Sequence, residues 1–387
     1  MSALAELAAS EPGIALLREE GVFLDRRSFL RAISPPARDA LARLSLPSGR
    51  DNGHARPIVY MGQQLSVDYG ASVFAKLALL SELEAADDVR GCGLWVDVDR
   101  AGSDKRMTVI SWPRRGGRVG VSLAPPGSKD CEPRFIPIEK RELLRALDRL
   151  RTYLGEAGVG RRGVDRYVHL RDVLSRSDAD TLADLSAEVT DLLLAEYGIR
   201  LAPVRLSRLL EERDLTVQVE ACLNALPRVI EVFNRAVFDL SERGIDPLLH
   251  PLADDYLPLR ISCATDATRL PLRRRDGPGG AYAVATCGCG ATYRFRLGRR
   301  ELSFDEIVQT HRWSPDVLLP TLVNDLASGV VAGKSSAIYG MVLNRVLREA
   351  LDKEPIPMLV PEGLTSRAPD GTRLVADSLM VSYLLGR

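Results

Sequence analysis

The chain has 387 residues, 45% of them hydrophobic, with 52 basic side chains set against 52 acidic ones. This is enough apolar material to fill more than one core, which excludes a chain disordered throughout. Zero formal charge excludes a polyanion binder that works through net charge and leaves room only for a local basic patch.

In chain order, residues 1–56 read as an N-terminal helical segment with a break at Ser34-Pro35-Pro36 and a polar stretch over 48–56. Residues 57–61 form an apolar strand that ends in Gly62-Gln63-Gln64. A helix over 70–83 follows, with Val73, Leu77 and Leu80 on one stripe. The next strand covers 93–98 and stops in the polar turn 99–104, and 107–112 is a further short apolar run. Strand, helix and strand make a βαβ unit, so 57–135 is expected to begin a Rossmann-like α/β core with its ligands at the carboxyl edge. Residues 116–132 read as a loop.

Helices over 140–154 and 178–197, with helical material from 205 to 240 that Pro227 must interrupt or bend, make 136–243 a helical excursion. Residues 244–302 are rich in turn formers, with Gly277-Pro278-Gly279-Gly280 the strongest turn signal, and read as a small β-rich insertion. Residues 303–387 return to helices and short strands, including 357–360.

Several positions suit chemistry. In Gly62-Gln63-Gln64 the glycine lets a ligand approach the backbone, and the two amides donate and accept. Asp97 and Asp99 stand at strand spacing, so both carboxylates would face one way and could orient or deprotonate an amine. Gly333-Lys334-Ser335-Ser336 offers a lysine and hydroxyls to a phosphate or carboxylate. It is not a Walker A loop, because Ser328 occupies the place where that motif requires glycine. His311, just before Trp313-Ser314-Pro315-Asp316, is a candidate acid or base. No Gly-x-Ser-x-Gly elbow occurs, so nothing points to a serine hydrolase.

Six cysteines in a chain of this length do not make a disulfide scaffold; they fit metal or buried-thiol roles in a reducing compartment. Cys287-Gly288-Cys289-Gly290 is a compact knuckle. Cys263 and His250 complete a four-ligand set suited to a structural zinc ion, the alternative being unmetallated thiols. Arg273-Arg274-Arg275 and Arg299-Arg300 border this segment. They raise RNA contact, but neutral charge and the lack of aromatics interleaved along the chain favour a solvated face.

Two segments together carry a family resemblance. One is Val59-Tyr60-Met61-Gly62-Gln63-Gln64 with Tyr69-Gly70-Ala71 and a helix bearing Lys76. The other runs from Trp313-Ser314-Pro315-Asp316 through Asn324-Asp325 to Val331-Ala332-Gly333-Lys334-Ser335 and Pro357-Met358-Leu359-Val360-Pro361. The order resembles a divergent, shortened member of the bacillithiol-synthesis cysteine-adding enzymes, a cysteine ligase family, over 57–112 and 305–362.

The resemblance implies a core like that of nucleotidyltransferases and class I synthetases. It also implies amide formation between cysteine and a small acidic acceptor. The site would comprise Gly62, Gln63, Gln64, Asp97, Asp99, Asp104, Ser314, Pro315, Asp316 and Asn324. The chain departs from the family in lacking a histidine beside Asp97 and Asp99, in carrying Asp316 for asparagine, and in having Ala332-Gly333-Lys334 where a tyrosine-valine-glycine-glycine-proline stretch is usual.

The expectation is therefore a ligase-like cytoplasmic enzyme coupling cysteine or a related amino acid to another acceptor, in thiol or specialised metabolism. Asp97, Asp99 and His311 would be catalytic. Gly62, Gln63, Gln64, Ser314, Asp316, Asn324, Lys334 and Ser335 would bind substrate. Use of ATP or another nucleotide, and pairing as a homodimer, stay open. The alternatives are synthetase-like nucleotidyl transfer onto a carrier protein or RNA, and a non-catalytic, zinc-stabilised binding module.

Overall fold

The computed structural model describes residues 3–36, 40–45, 56–86, 89–114, 117–278, 280–297, 304–360 and 378–386. The polar residues 48–55, Gly279, Arg299-Arg300 and Pro361 lie outside these. In chain order the strands are β1 (Val22–Phe23), β2 (Ile58–Gln64), β3 (Arg90–Val96), β4 (Val109–Arg114), β5 (Gly117–Ser122), β6 (Ala202–Arg205) and β7 (Tyr256–Ser262). They continue as β8 (Arg269–Gly277), β9 (Gly280–Thr286), β10 (Thr292–Leu297), β11 (Trp313–Pro315), β12 (Gly329–Val331) and β13 (Met358–Leu359).

Six strands form a sheet in the order β1-β13-β12-β2-β3-β6, and every pairing in it is parallel. From β2 the chain winds outward through β3 to β6, then returns on the other side of β2 with β12 and β13. The reversal falls between β2 and β12. In a doubly wound sheet that point leaves a crevice outside the carboxyl ends, because the two connections diverge to opposite faces.

Alternation along the strands builds a core on each face. Ile58, Tyr60, Leu94 and Met358 belong to one buried cluster, whereas Val59, Met61, Trp95 and Leu359 belong to the other. The first cluster is closed by the helix Leu226–Glu242 and the antiparallel strands. The second is closed by Ala71–Ala86, Lys140–Glu156, Arg161–Arg176 and Leu182–Glu196. Each Val, Leu or Ile buried this way contributes roughly 1.5–3 kcal/mol. No described helix is long and apolar enough to cross a membrane.

Several expectations shift. β6 is an additional strand; Pro203 keeps it at the sheet edge, where a missing amide hydrogen is tolerated. Residues 107–112 do not extend the parallel sheet: β4 pairs with β5, so part of the expected 116–132 loop is an antiparallel strand. The helical material is interrupted at Pro227 as expected: one helix ends at Asn224 and the next, Leu226–Glu242, carries Pro227 in its first turn, where its amide would have no intrahelical partner. Trp313–Pro315 joins β7, so the late segment is tied to the five-stranded sheet β10-β9-β8-β7-β11.

Candidate metal centre and carboxyl-edge cavity

The antiparallel sheet turns twice at one end, between β7 and β8 and between β9 and β10. Cys263 and Asp266 lie in the first turn and Cys287 and Cys289 in the second. One ligand atom from each of the four falls within 4.8 Å of all the others. Cys263 Sγ is 3.6 Å from Cys289 Sγ, and Cys287 Sγ is 3.2 Å from Asp266 Oδ2. A tetrahedral zinc ion with Zn–S near ~2.3 Å separates its sulfurs by about 3.8 Å, so the donor set is already spaced for it. The cluster forms a structural metal site of zinc type. It would tie together two turns that are far apart in sequence.

Left-handed backbone at Ala267 (φ 60°) and Gly290 (φ 93°) bends each turn back on its ligands. Burial opposes ionisation of Cys263. Bonds from the Tyr293 hydroxyl, from the Asp266 and Thr265 amides and from Cys289 outweigh it, lowering the thiol to about 7. The Thr268 amide holds the Asp266 carboxyl down to about 2. At Cys287 the Cys289 amide favours the thiolate, but burial and the Asp266 carboxylate prevail and raise it to about 12. Cys287 Sγ donates to the Asp266 carboxylate, and coordination of a metal by the thiolate would release that proton.

His250 is not part of this set. It lies exposed in the loop before β7, and Asp266 supplies the fourth donor instead. Cys263-Ala-Thr-Asp266 keeps the two-residue gap of an ordinary zinc knuckle with a carboxylate in the second place. A search restricted to cysteine and histidine passes over it.

The metal turn leads directly into Arg269, a buried guanidinium at the start of β8. It donates to Ser314 Oγ at 3.0 Å, to Pro315 O at 2.6 Å and to Asp99 Oδ1 at 3.0 Å. It also pairs with the fully buried Glu132 at 3.4 Å. Ser314 donates to Glu132 at 2.7 Å, and Arg134 closes the network at 2.7 Å from the same carboxylate. Burial pushes the Glu132 carboxyl up, while Arg134 and Arg269 pull it back toward the charged form. Asp99 in turn accepts from Gln64 Nε2 at 2.5 Å. One arginine thus links the metal turn, through Asp99, to Gln64 at the end of β2.

Gln64 and Asp99 open onto a cavity of about 410 Å³ at the reversal between β2 and β12. Its walls include Gly62, Gln63 and Gln64 from β2, Val330, Val331 and Ala332 from β12, and Asp316, Val317, Leu319, Pro320 and Val323 from the late segment. The early glutamine loop and the late segment therefore share one cavity. Leu94, Leu249, Leu343 and Leu347 make part of the lining apolar. Gly340 lets the helix Lys334–Arg345 lie against β13, since a Cβ there would come within 2.4 Å of Met358 Sδ.

The cavity's polar end is built around Lys76. It lies on Ala71–Ala86, where residues 74–78 are all buried, and is only 6% exposed. Its ammonium donates to Gln63 Oε1 at 3.3 Å. Among the described residues no carboxylate forms an ion pair with it. Burial alone lowers its pKa to about 8. Gly333, the N-cap of Lys334–Arg345, lies beside the lysine's aliphatic stem and supplies no side-chain cap. Ser336 and Tyr339 line the cavity from the same helix.

Of the expected site residues, Gly62, Gln63, Gln64, Asp99 and Asp316 line this cavity. Asp316 is paired with Arg260 at 3.1 Å. The others lie elsewhere. β3 ends at Val96, so Asp97 does not share a direction with Asp99. Fully buried, Asp97 accepts from Ser207 N at 2.9 Å and from Ser207 Oγ at 2.5 Å, capping Leu206–Glu211 from outside. His311 is exposed in a tight turn with φ 53°. Ser314 is buried in the Arg269 network. Asn324 donates to Glu354 O at 3.4 Å. Lys334 and Ser335 stand outside the lining, where Ser336 replaces them.

Compared with known proteins, no family model matches the chain, and no curated protein matches it.

Proposed function

We propose that the chain is a metal-stabilised binding protein whose carboxyl-edge cavity takes a small anionic molecule. The observation that carries this reading is Lys76, a buried ammonium facing a cavity and lacking a carboxylate partner. Burying an ammonium without an opposite charge is costly, and an incoming carboxylate or phosphate would supply that charge. The uncapped amides at the start of Lys334–Arg345 favour the same sign of ligand, because helix N-termini carry partial positive charge. The apolar walls set a moderate size for the rest of the molecule.

The test is calorimetric titration of the metal-loaded chain with phosphate, citrate and N-acyl amino acids. At least one should bind, and Lys76→Met should abolish binding without altering the far-ultraviolet spectrum. Retained affinity in Lys76→Met would overturn the reading.

Amide formation is the second reading. It draws on the resemblance set out above and on the common cavity of the two segments that carry it. Of its three expected acid–base residues, only Asp99 lines that cavity, so an amine would be oriented by Asp99 and Gln64 alone. Incubation with cysteine and dicarboxylic acceptors, with and without ATP, should then yield a coupled amide by mass spectrometry. Absence of product, phosphate and pyrophosphate removes this reading and leaves the binding proposal intact.

A further inference from the structure

The outer face of the antiparallel sheet has a chemistry that chain order conceals. Register aligns Arg273, Val284 and Arg294 across β8, β9 and β10, and aligns Arg275, Tyr282 and Arg296 one step further along. Alternation puts all six on one side, because residues two apart on a strand share a face. The opposite side carries Leu272, Ala283, Ala285 and Leu297, all buried. Arginines separated along the sequence thus meet across the strands, with an aromatic ring between them.

Arg273, Arg275 and Arg294 outnumber the carboxylates that pair with them among the described residues. The Arg273 and Arg275 side chains are 41% and 64% exposed, and they share one carboxylate, Asp255, at 3.3 and 3.0 Å. Arg294 lies over the Tyr282 ring at 3.8 Å, so the guanidinium is stacked on the phenol and offers its own outer face to a base. A chain of zero net charge has gathered cations on a single sheet face, held by a metal staple at one end.

We propose that this face binds single-stranded nucleic acid, with phosphates on Arg273, Arg275 and Arg294 and a base stacked at Tyr282. Arginines two apart on a strand stand about 6.8 Å from each other, and neighbouring strands about 4.8 Å apart, giving a grid that an extended sugar–phosphate backbone can follow. A twisted sheet face with one half-buried ring and a guanidinium lying on it suits an unstacked base.

The experiment is fluorescence anisotropy of the full, metal-loaded chain with labelled twelve-nucleotide oligouridylate and oligothymidylate at about 50 mM salt. Binding is expected, with log K falling against log salt at a slope of about −2 for three phosphates. The triple variant Arg273→Ala, Arg275→Ala, Arg294→Ala should weaken it at least thirtyfold, on the order expected for three lost phosphate contacts. Tyr282→Ala should weaken it about tenfold and Tyr282→Trp should restore it. Metal content and melting temperature of each variant report whether the fold is kept. No binding to either oligonucleotide overturns the proposal. So does affinity unchanged in the triple variant, or heparin binding that displaces the oligonucleotide while Tyr282→Ala has no effect.

Discussion

The parallel sheet and the antiparallel sheet are held together by different means. The parallel sheet lies between two apolar layers and leaves one edge open at the reversal of strand order. The antiparallel sheet has one buried face and one arginine-bearing face, and two of its turns converge on three thiols and a carboxylate. Where apolar burial already fixes the backbone, a polar side chain such as Lys76 can stand beside a cavity without an ion-pair partner among the described residues. Where one face is solvated, the same order is reached by a metal staple and by Arg269, which anchors the start of β8 in the interior.

The largest effect that separates the two regions should come from the metal. Chelation should destabilise the antiparallel sheet by ~4 kcal/mol or more, the mass-action value at a thousandfold excess of free metal over Kd. Hydrogen exchange should localise the loss to residues 256–297 and 313–315, with β2 and β3 remaining protected; equal loss in both would abolish the distinction. Cys287→Ser should lower metal content in elemental analysis, whereas His250→Ala should leave it near one ion per chain.

Next in size is the link between the regions. Arg269→Met leaves Glu132 buried with Arg134 as its remaining cation and should cost ~3 kcal/mol in urea unfolding. Adding Glu132→Gln should recover part of that. The single variant should also weaken anion binding, since Asp99 loses the guanidinium that orients it toward Gln64.

Lys76 gives an effect of similar or smaller size with a distinct pH signature. Its folded pKa of about 8 lies below the ordinary lysine value of 10.5. The unfolded state therefore binds more protons between these values, and stability rises across that window as the penalty is relieved. The full penalty, of order 3 kcal/mol, is present below pH ~8. Denaturation curves between these pH values should show the rise in wild type and a flat profile in Lys76→Met. Anion affinity should fall over the same range, because the ligand needs the charged amine.

Smaller still is Asp97→Ala, which removes the cap on Ser207 and should cost ~2 kcal/mol with ligand affinity unchanged. His311→Ala should be silent in stability and binding alike. A fall in anion affinity on either substitution would bring that residue back into the site.

Much of this was legible in the residue pattern. The apolar runs before Gly62 and Asp97, with a helix-period stripe between, specify the first βαβ unit because burial on two faces demands them. Cys287, Cys289 and Cys263 announce a metal by their chemistry. What stayed hidden was carried by geometry. Asp97 and Asp99 look equivalent at strand spacing, but β3 stops before either, and each turns to a different partner. Lys76 is submerged in an apolar helix, so no local pattern marks it as facing a cavity. Asp266 is one carboxylate among many until the second turn approaches it. β5 contains two glycines and β6 a proline, residues that argue against strands except at short, weakly paired edges.

Arg269 carries a consequence for how such chains can vary in length. Cys263, Asp266 and Arg269 follow one another at three-residue intervals, and each has its partners in a different part of the molecule. An insertion or deletion anywhere in that stretch would either pull a donor off the metal site or replace the guanidinium beneath Asp99 with a neighbouring uncharged side chain. Pro278, beside the tip of the β8–β9 hairpin, accepts from the Tyr282 hydroxyl of the same hairpin, and among the described residues it has no side-chain tie to another part of the molecule. Natural variants of this chain should therefore gain and lose residues at that tip while the count from Cys263 to Arg269 stays constant.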